Sequence, residues 1–497
     1  MSVEPAAALG VAAHFVRAFY STQQKTYKFF CVRFRTEHQR SAGRNCPSRL
    51  LPRAQELKFA VDAQCKKETS PMMNKAIFPL VSGVIGLALL GGLGMFTGEQ
   101  GDVQARDSRH ALAQDDRGND AHARRKIDEG RQIFRFDTFG DEQLWTDVLR
   151  MHEVIATVPP ATALAVGLKV DLDALPPKII AALRAGQVDL NNPAVTVELL
   201  RLNAVVGVRG AVNGVGQLTS VGITCALCHS TVDNTLTTGI GRRLDGWANT
   251  DLNVGAIVAL SPALDAATKA EFNAWGPGKY DPRHHAFDGR NLLSLNSPSL
   301  PVVLPPIYGL KGVGFETVSA DGPISYWNSY VGVGQMGGKG NFSDPRIGLS
   351  ITQTPDLVTP KLAALLDYQL KLRTPEPPEG SFNSEAAKRG KHLFKDEAGC
   401  AACHQPPHFT DVLSGPTPTV PVLHDPAQVG MDPAYAARTA TKKYRTTPLR
   451  ALWQHAPYFH DGSAPDLLAV VKHYDRLFAL RLTAAQKSDL VEYLKSL

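Results

Sequence analysis

Two pentapeptides constrain this chain more than anything else in it. They are Cys225-Ala226-Leu227-Cys228-His229 and, 175 positions later, Cys400-Ala401-Ala402-Cys403-His404. Both read Cys-x-x-Cys-His. At this spacing two thiols add across the two vinyl groups of one porphyrin, and the adjacent imidazole sits beneath it as proximal iron ligand, so the pattern is the attachment site of c-type haem. A single Cys-x-x-Cys also suits a dithiol redox pair or half of a zinc site. Two copies, each followed by His, select two covalent haems over both alternatives. The chain has seven cysteines, and the other three (Cys31, Cys46 and Cys65) lie near its start. That economy fits an oxidising compartment, where a stray thiol would mispair.

At 497 residues the chain is long enough for two or more domains with sizeable cores. Its formal charge of +6 is contributed by residues 1–105, which hold 13 basic and 7 acidic residues, while the remainder is balanced. A nucleic-acid partner is therefore not expected. The one long apolar run, residues 76–96, follows Lys75 and precedes Val103-Gln104-Ala105. It reads as an export signal with its cleavage site or, uncut, as a membrane anchor. Translation from Met72 or Met73 would make residues 1–71 a gene-start artefact or a disordered extension. The expected plan is a signal or anchor over 72–105, a disordered leader over 106–126 and a first cytochrome c-like domain over 127–373. A linker at 374–383 then leads into a second domain over 384–497. The expected location is the periplasm, with membrane contact only through an uncleaved N-terminal segment.

Gly130-Arg-Gln-Ile-Phe134 is echoed by Gly390-Lys-His-Leu-Phe394, and each stands ahead of a haem motif. The echo predicts an internally duplicated helical domain, mainly α, whose first copy carries an insertion. Leu144, Val148, Leu149, His152 and Ile155 recur at helical spacing within that insertion, as do Ile179, Ile180 and Leu183, and then Leu199, Leu200 and Leu202. His152 reads as a structural histidine. After the first motif, Arg242 and Arg243 are candidates to pair with haem propionates, and Trp247 to pack on the porphyrin. Residues 274–345 are rich in Gly, Pro and Asn and form a long irregular region holding His284, His285, Glu316, Trp327, Gln335 and Met336. A helix is expected over 361–370, a break at 374–380, an N-cap at Ser384 and a capping box at Thr483–Gln486.

Three stretches, Asn296-Ser-Pro-Ser-Leu300, Tyr444-Arg-Thr-Thr-Pro-Leu-Arg450 with Ala456-Pro-Tyr-Phe-His-Asp-Gly462, and Val470-Val-Lys-His-Tyr474, join the tandem motifs in a wider pattern. It resembles the bacterial di-haem cytochrome c peroxidase superfamily, which includes the di-haem enzyme that matures tryptophan tryptophylquinone and the rubber oxygenases. The resemblance is closest over 384–497 and weakest over 140–205. It implies two cytochrome c-like helical domains, each with one haem, and a distal ligand to the second iron at Tyr474, with His473 and Met431 as alternatives. Tyr or His there lowers the iron's potential relative to Met. The superfamily often holds a calcium ion between its domains, but no Asp/Glu cluster in the sequence marks such a site.

The chain departs from the peroxidases in lacking their Trp-Asp-Gly-Arg run. Phe315-Glu316 stands where Trp-Asp is expected, and Trp327 lies a little later. Glu316, Gln335 and Trp327 are the candidates for acid–base and relay roles, and Met336 is a candidate ligand to the first iron. Two functions remain open on the sequence. One is an oxidoreductase in which the first haem reacts with peroxide or oxygen and the second relays electrons from a small cytochrome or cupredoxin. The other is a non-catalytic di-haem electron carrier.

Overall fold

The computed structural model describes residues 121–282, 299–414 and 421–497. These all fall within one compact unit, Phe96–Leu497. The apolar run at 76–96, residues 1–71, His284, His285 and most of Asn296–Leu300 lie outside the described residues. Among the described residues no helix is long and apolar enough to cross a membrane.

The fold is mainly helical, and among the described residues the strands occur only in two-stranded pairs. Its organising device is the glycine of the repeated pentapeptide. Gly130 lies in a helix over 121–136 that crosses the Leu362–Gln369 helix. A Cβ at 130 would overlap the backbone oxygen of Ala364 and crowd Tyr368. Gly390 lies in the Ser384–Lys395 helix, where a Cβ would overlap the backbone oxygen of Asp489 and crowd Tyr493, both on the Ala484–Lys495 helix. In each copy the Phe four residues on meets that same Tyr. The ring centroids are 5.6 Å apart for Phe134–Tyr368 and 5.2 Å for Phe394–Tyr493. The two crossings share glycine, oxygen contact and ring pair, as internal duplication predicts.

The insertion is helical where expected, with turns and helices at Gln143–Val148, Met151–Ile155, Pro177–Arg184 and Pro193–Arg201. Its apolar face fills one core around Leu144, Leu149, Met151, Leu200 and Leu252. The periodic pattern did not reveal the hairpin that follows, Val208–Val212 paired antiparallel with Leu218–Ile223. Alternation in these strands is weak because Gly210 and Gly222 interrupt it. Gly222 packs against Asp141 and Thr138, so the hairpin leans back on the insertion.

The second half closes around Leu393, Phe394, Leu452, Val471, Leu490 and Leu494. Its capping box forms as expected, with Thr483 accepting from the Gln486 amide and the Gln486 side chain accepting from the Thr483 amide. The N-cap of the Ser384–Lys395 helix is Asn383 rather than Ser384, because the Asn383 carboxamide accepts from the Ala386 amide at 2.9 Å. The Asx side chain reaches the exposed helix amides from one residue earlier.

Gly130→Ala and Gly390→Ala should each destabilise the protein by about 1–3 kcal/mol, since the added methyl must push two helices apart. The check is the denaturant midpoint. Equal sensitivity at the two positions is the expected signature of a shared crossing, and a neutral substitution at either would contradict it.

Candidate haem and redox site

Each Cys-x-x-Cys-His segment forms a short turn that closes on its own histidine. Cys225 caps the Ala226–His229 helix, and the His229 amide donates to the Cys225 carbonyl at 3.2 Å. Cys400–Ala402 is a single 3₁₀ turn, and the His404 amide donates to the Cys400 carbonyl at 3.0 Å. The first turn is held from behind by three contacts. The Asn249 amide donates to the Cys228 carbonyl at 3.0 Å, the Thr224 amide to the Gly207 carbonyl at 2.9 Å, and Gly207 leaves room for the backbone of Leu227. Gly207 has a φ of +77°, and a side chain there would collide with the motif.

The two histidines are oriented alike. His229 Nδ1 lies 3.0 Å from the Pro305 carbonyl, and His404 Nδ1 lies 2.9 Å from the Phe409 carbonyl. A carbonyl at Nδ1 fixes the tautomer with its proton there and leaves Nε2 as the free lone pair, as in histidines that bind metals. Burial lowers the His229 pKa to about 4, against the pull of the Pro305 carbonyl, and lowers that of His404 too. Both imidazoles are therefore neutral at physiological pH. Burial also pushes the thiols up, Cys225 and Cys228 to about 12 and Cys400 to about 11. These are poor thiolates, which disfavours a reactive dithiol. Both rings and the Cys225, Cys228 and Cys400 thiols are half-buried, while Cys403 is exposed. Four thiols and two Nε2 atoms in this arrangement fit covalently tethered haem.

Around the second motif the three distal candidates separate. Tyr474 is close enough for the Cys400 and Cys403 thiols to raise its hydroxyl pKa, although burial is the larger cause of its rise to about 12. Its ring stacks on Phe478 at 5.9 Å and meets Phe459 edge-on at 6.0 Å. His473 is already engaged, with Nε2 3.0 Å from the Val429 carbonyl. Met431 packs with Tyr435, Ala436 and Tyr444, in a different cluster from the one that holds Cys400. Sequence reasoning missed His424. It shares a set with Cys403 and Asp411 whose candidate ligand atoms lie within 4.8 Å of one another. His424 Nε2 is 2.9 Å from both Asp411 Oδ2 and Thr446 Oγ1. It lies just after residues 415–420, in a stretch with no periodic pattern to flag it.

Around the first motif, Met336 is buried in the apolar cluster against which Cys225 packs. Trp327 belongs to the same cluster and donates from Nε1 to the Glu316 carbonyl at 3.0 Å. Gln335 donates to the Pro282 carbonyl at 2.6 Å, as does the Tyr330 hydroxyl at 2.5 Å. Glu316 and Trp327 are thus neighbours, while Gln335 is tied to a separate carbonyl. The Glu316 carboxylate is buried and lies 3.0 Å from Arg445 and 3.8 Å from Arg450, both in the Tyr444–Arg450 signature. Its Oε1 has no hydrogen-bond partner among the described residues. Arg243 is committed through Nε to Asp171 at 2.9 Å and is buried, whereas Arg242 is exposed. Trp247 meets Trp453 at 5.8 Å and Tyr308 at 6.4 Å, both edge-on.

A family model described as "RoxA-like, cytochrome c-like" matches residues 443–480, the stretch that carries Arg445, Arg450 and Tyr474. Among curated proteins, the methylamine utilization protein MauG of Methylophilus methylotrophus is 31% identical over 133 residues, covering 23% of this chain and 37% of its own length. The cytochrome-c peroxidase IdrP2 of Pseudomonas sp. (strain SCT) is 32% identical over 146 residues, covering 23% of this chain and 40% of its own length. The chain thus spans about two fifths of the curated relatives it matches. A solved MauG-like protein associated with microbial copper homeostasis overlays with a TM-score of 0.30 at 22% identity, over 42% of this chain and 78% of its own.

Glu316→Ala should cost about 3–5 kcal/mol of stability, because it leaves two buried guanidinium groups without their carboxylate. Thermal or denaturant unfolding measures this. A variant as stable as the parent would show that the ion cluster does not hold the protein together.

Proposed function

We propose that the chain belongs with the di-haem cytochrome c peroxidase superfamily and is an exported c-type oxidoreductase with two covalent haems. The observation that carries this reading is the pair of Cys-x-x-Cys-His turns, each with its histidine Nδ1 anchored on a carbonyl. Cys225 and Cys228 tether one haem with His229 beneath it, and Cys400 and Cys403 tether the other with His404 beneath it. Residues 127–373 and 384–497 form the two haem-bearing domains, with 374–383 between them. Bound in this way, haem supplies one-electron chemistry and a site for peroxide or oxygen, and the protein sets access and potential.

The two sites have different work. Tyr474 would serve as the distal ligand to iron held at the second motif, a role supported by its nearness to Cys400 and Cys403 and by the engagement of His473 elsewhere. A small cytochrome or cupredoxin delivers electrons there. Among the described residues, which leave out His284 and His285, no candidate ligand stands to the first motif as Tyr474 does to the second, although Met336 and Trp327 pack in the cluster beside Cys225. On this reading the first haem is the reactive one. Glu316 serves mainly to hold the halves together through Arg445 and Arg450. Gln335, whose amide is held on the Pro282 carbonyl, and Trp327 are the remaining candidates to position a proton or an electron near the reacting atoms. Export through residues 76–96 places the protein in the periplasm, free or anchored.

Haem staining of denatured protein should show covalent haem lost in halves: Cys225→Ser with Cys228→Ser removes one equivalent and Cys400→Ser with Cys403→Ser the other. Full staining of either double variant would refute that assignment. In the holoprotein, optical and EPR spectra should show one high-spin haem that responds to peroxide or cyanide and one low-spin haem that does not. Two inert low-spin haems would instead identify an electron carrier. Tyr474→Phe should change the low-spin signal and leave the high-spin one in place, and an unchanged spectrum would remove Tyr474 as ligand.

A further inference from the structure

Where the two halves meet, the chain encloses a cleft of about 420 Å3. One wall comes from the first half, at Gly309, Lys311 and residues 370–374. The other comes from the second half, at Pro407, His408, Leu449 and Arg450. The lining holds Lys311, Lys371, Arg373, Arg450 and His408, and no Asp or Glu. Lys311, Lys371 and Arg373 are exposed at the mouth and form no ion pair among the described residues. Arg450 is mostly buried and holds the seam by donating to the Gly309 carbonyl at 2.5 Å. Gly309 has a φ of +63°, and the Arg450 side chain passes close to where a Cβ would stand.

Arg450 has Glu316 at 3.8 Å, but Lys311, Lys371 and Arg373 share the same concave space without a paired carboxylate among the described residues, and they repel one another and Arg450 unless an anion sits among them. The volume is in the range of small-molecule sites. The protein is electrically balanced beyond residue 105, so this local excess is not a reflection of overall composition. We propose that the cleft is an anion site that takes carboxylate or phosphate-type oxygens.

Two sources share that chemistry. One is the propionate arms of the haem tethered at the second motif. Pro407 and His408 follow His404 closely, and Leu449 packs in the cluster that holds Cys400. The other is a free multivalent anion entering from solvent past the three exposed cations. The first source rests on the haem reading given above, and the second does not.

The test uses purified holoprotein and the double variant Lys371→Gln with Arg373→Gln, both on exposed side chains outside the haem motifs. Calorimetric titration with citrate, and separately with inorganic phosphate, reads the free-anion arm. Binding with one-to-one stoichiometry is expected to weaken about tenfold or more in the double variant, the scale of two partly screened charges, and to weaken further with added salt. Spectroelectrochemistry reads the propionate arm. If propionates fill the cleft, no anion binds, and the midpoint potential of the second haem falls in the double variant, because positive charge that favoured the reduced iron has gone. The first haem's potential stays in place. If no anion binds and neither potential moves, there is no anion site. Lys311→Gln, a single change on a separate stretch of the same wall, gives the same readouts should the double variant fail to fold. Absence of covalent haem in the absorption spectrum would defeat the haem reading, while the citrate and phosphate titrations would still judge the cleft.

Discussion

The close crossing of two helices at a glycine underlies the rest of this structure. At Gly130 and again at Gly390 the missing side chain lets one helix rest on the backbone oxygen of another. A Phe–Tyr pair one turn further on locks the crossing. Backbone contact of this kind allows little sliding, since either helix must climb over the other's side chains to move. Each Cys-x-x-Cys-His turn is then laid against a fixed frame. In the second half the turn begins five residues after the Ser384–Lys395 helix ends. In the first half the insertion and hairpin intervene, and Gly207 and Asn249 do the local bracing.

That difference makes the motifs chemically unequal although their sequences match. The second turn is short, sits near a tyrosine and lies in a small core. The first lies between two large apolar clusters, with Cys225 against one and Cys228 against the other. What the motifs share is burial, which keeps both rings neutral, and a carbonyl at each histidine Nδ1, which turns both rings the same way. The setting of the two histidines is thus common to both motifs, and any difference between them must come from their other surroundings and from the residues that join the halves.

The join is unusually cationic. Arg445 and Arg450 share the single buried carboxylate of Glu316, and Arg450 also reaches into the cleft beside Lys311, Lys371 and Arg373. Burying two guanidinium groups against one carboxylate is expensive unless further oxygens help. The backbone carbonyls of Phe315 and Gly309 supply part of that need. Glu316, first singled out for acid–base chemistry, is thereby placed in the seam, in contact with the signature that most closely ties this chain to its relatives.

The sequence alone determined what depends on covalent chemistry and short-range pattern. The haem motifs could be read because thiol and imidazole spacing is dictated by a porphyrin. The capping box at Thr483, the insertion helices and the pentapeptide echo could be read because helical period and capping are local. It also offered Tyr474, His473 and Met431 as candidate ligands near the second motif. Only the tertiary structure decided which of these were free. His473 is spent on the Val429 carbonyl, Arg243 on Asp171, and Met431 on another cluster. Nor could spacing reveal His424 beside Asp411, or four cations gathered from three separate stretches around one cleft. Such groupings depend on which distant segments the helix crossings bring together, and no periodicity along the chain encodes that.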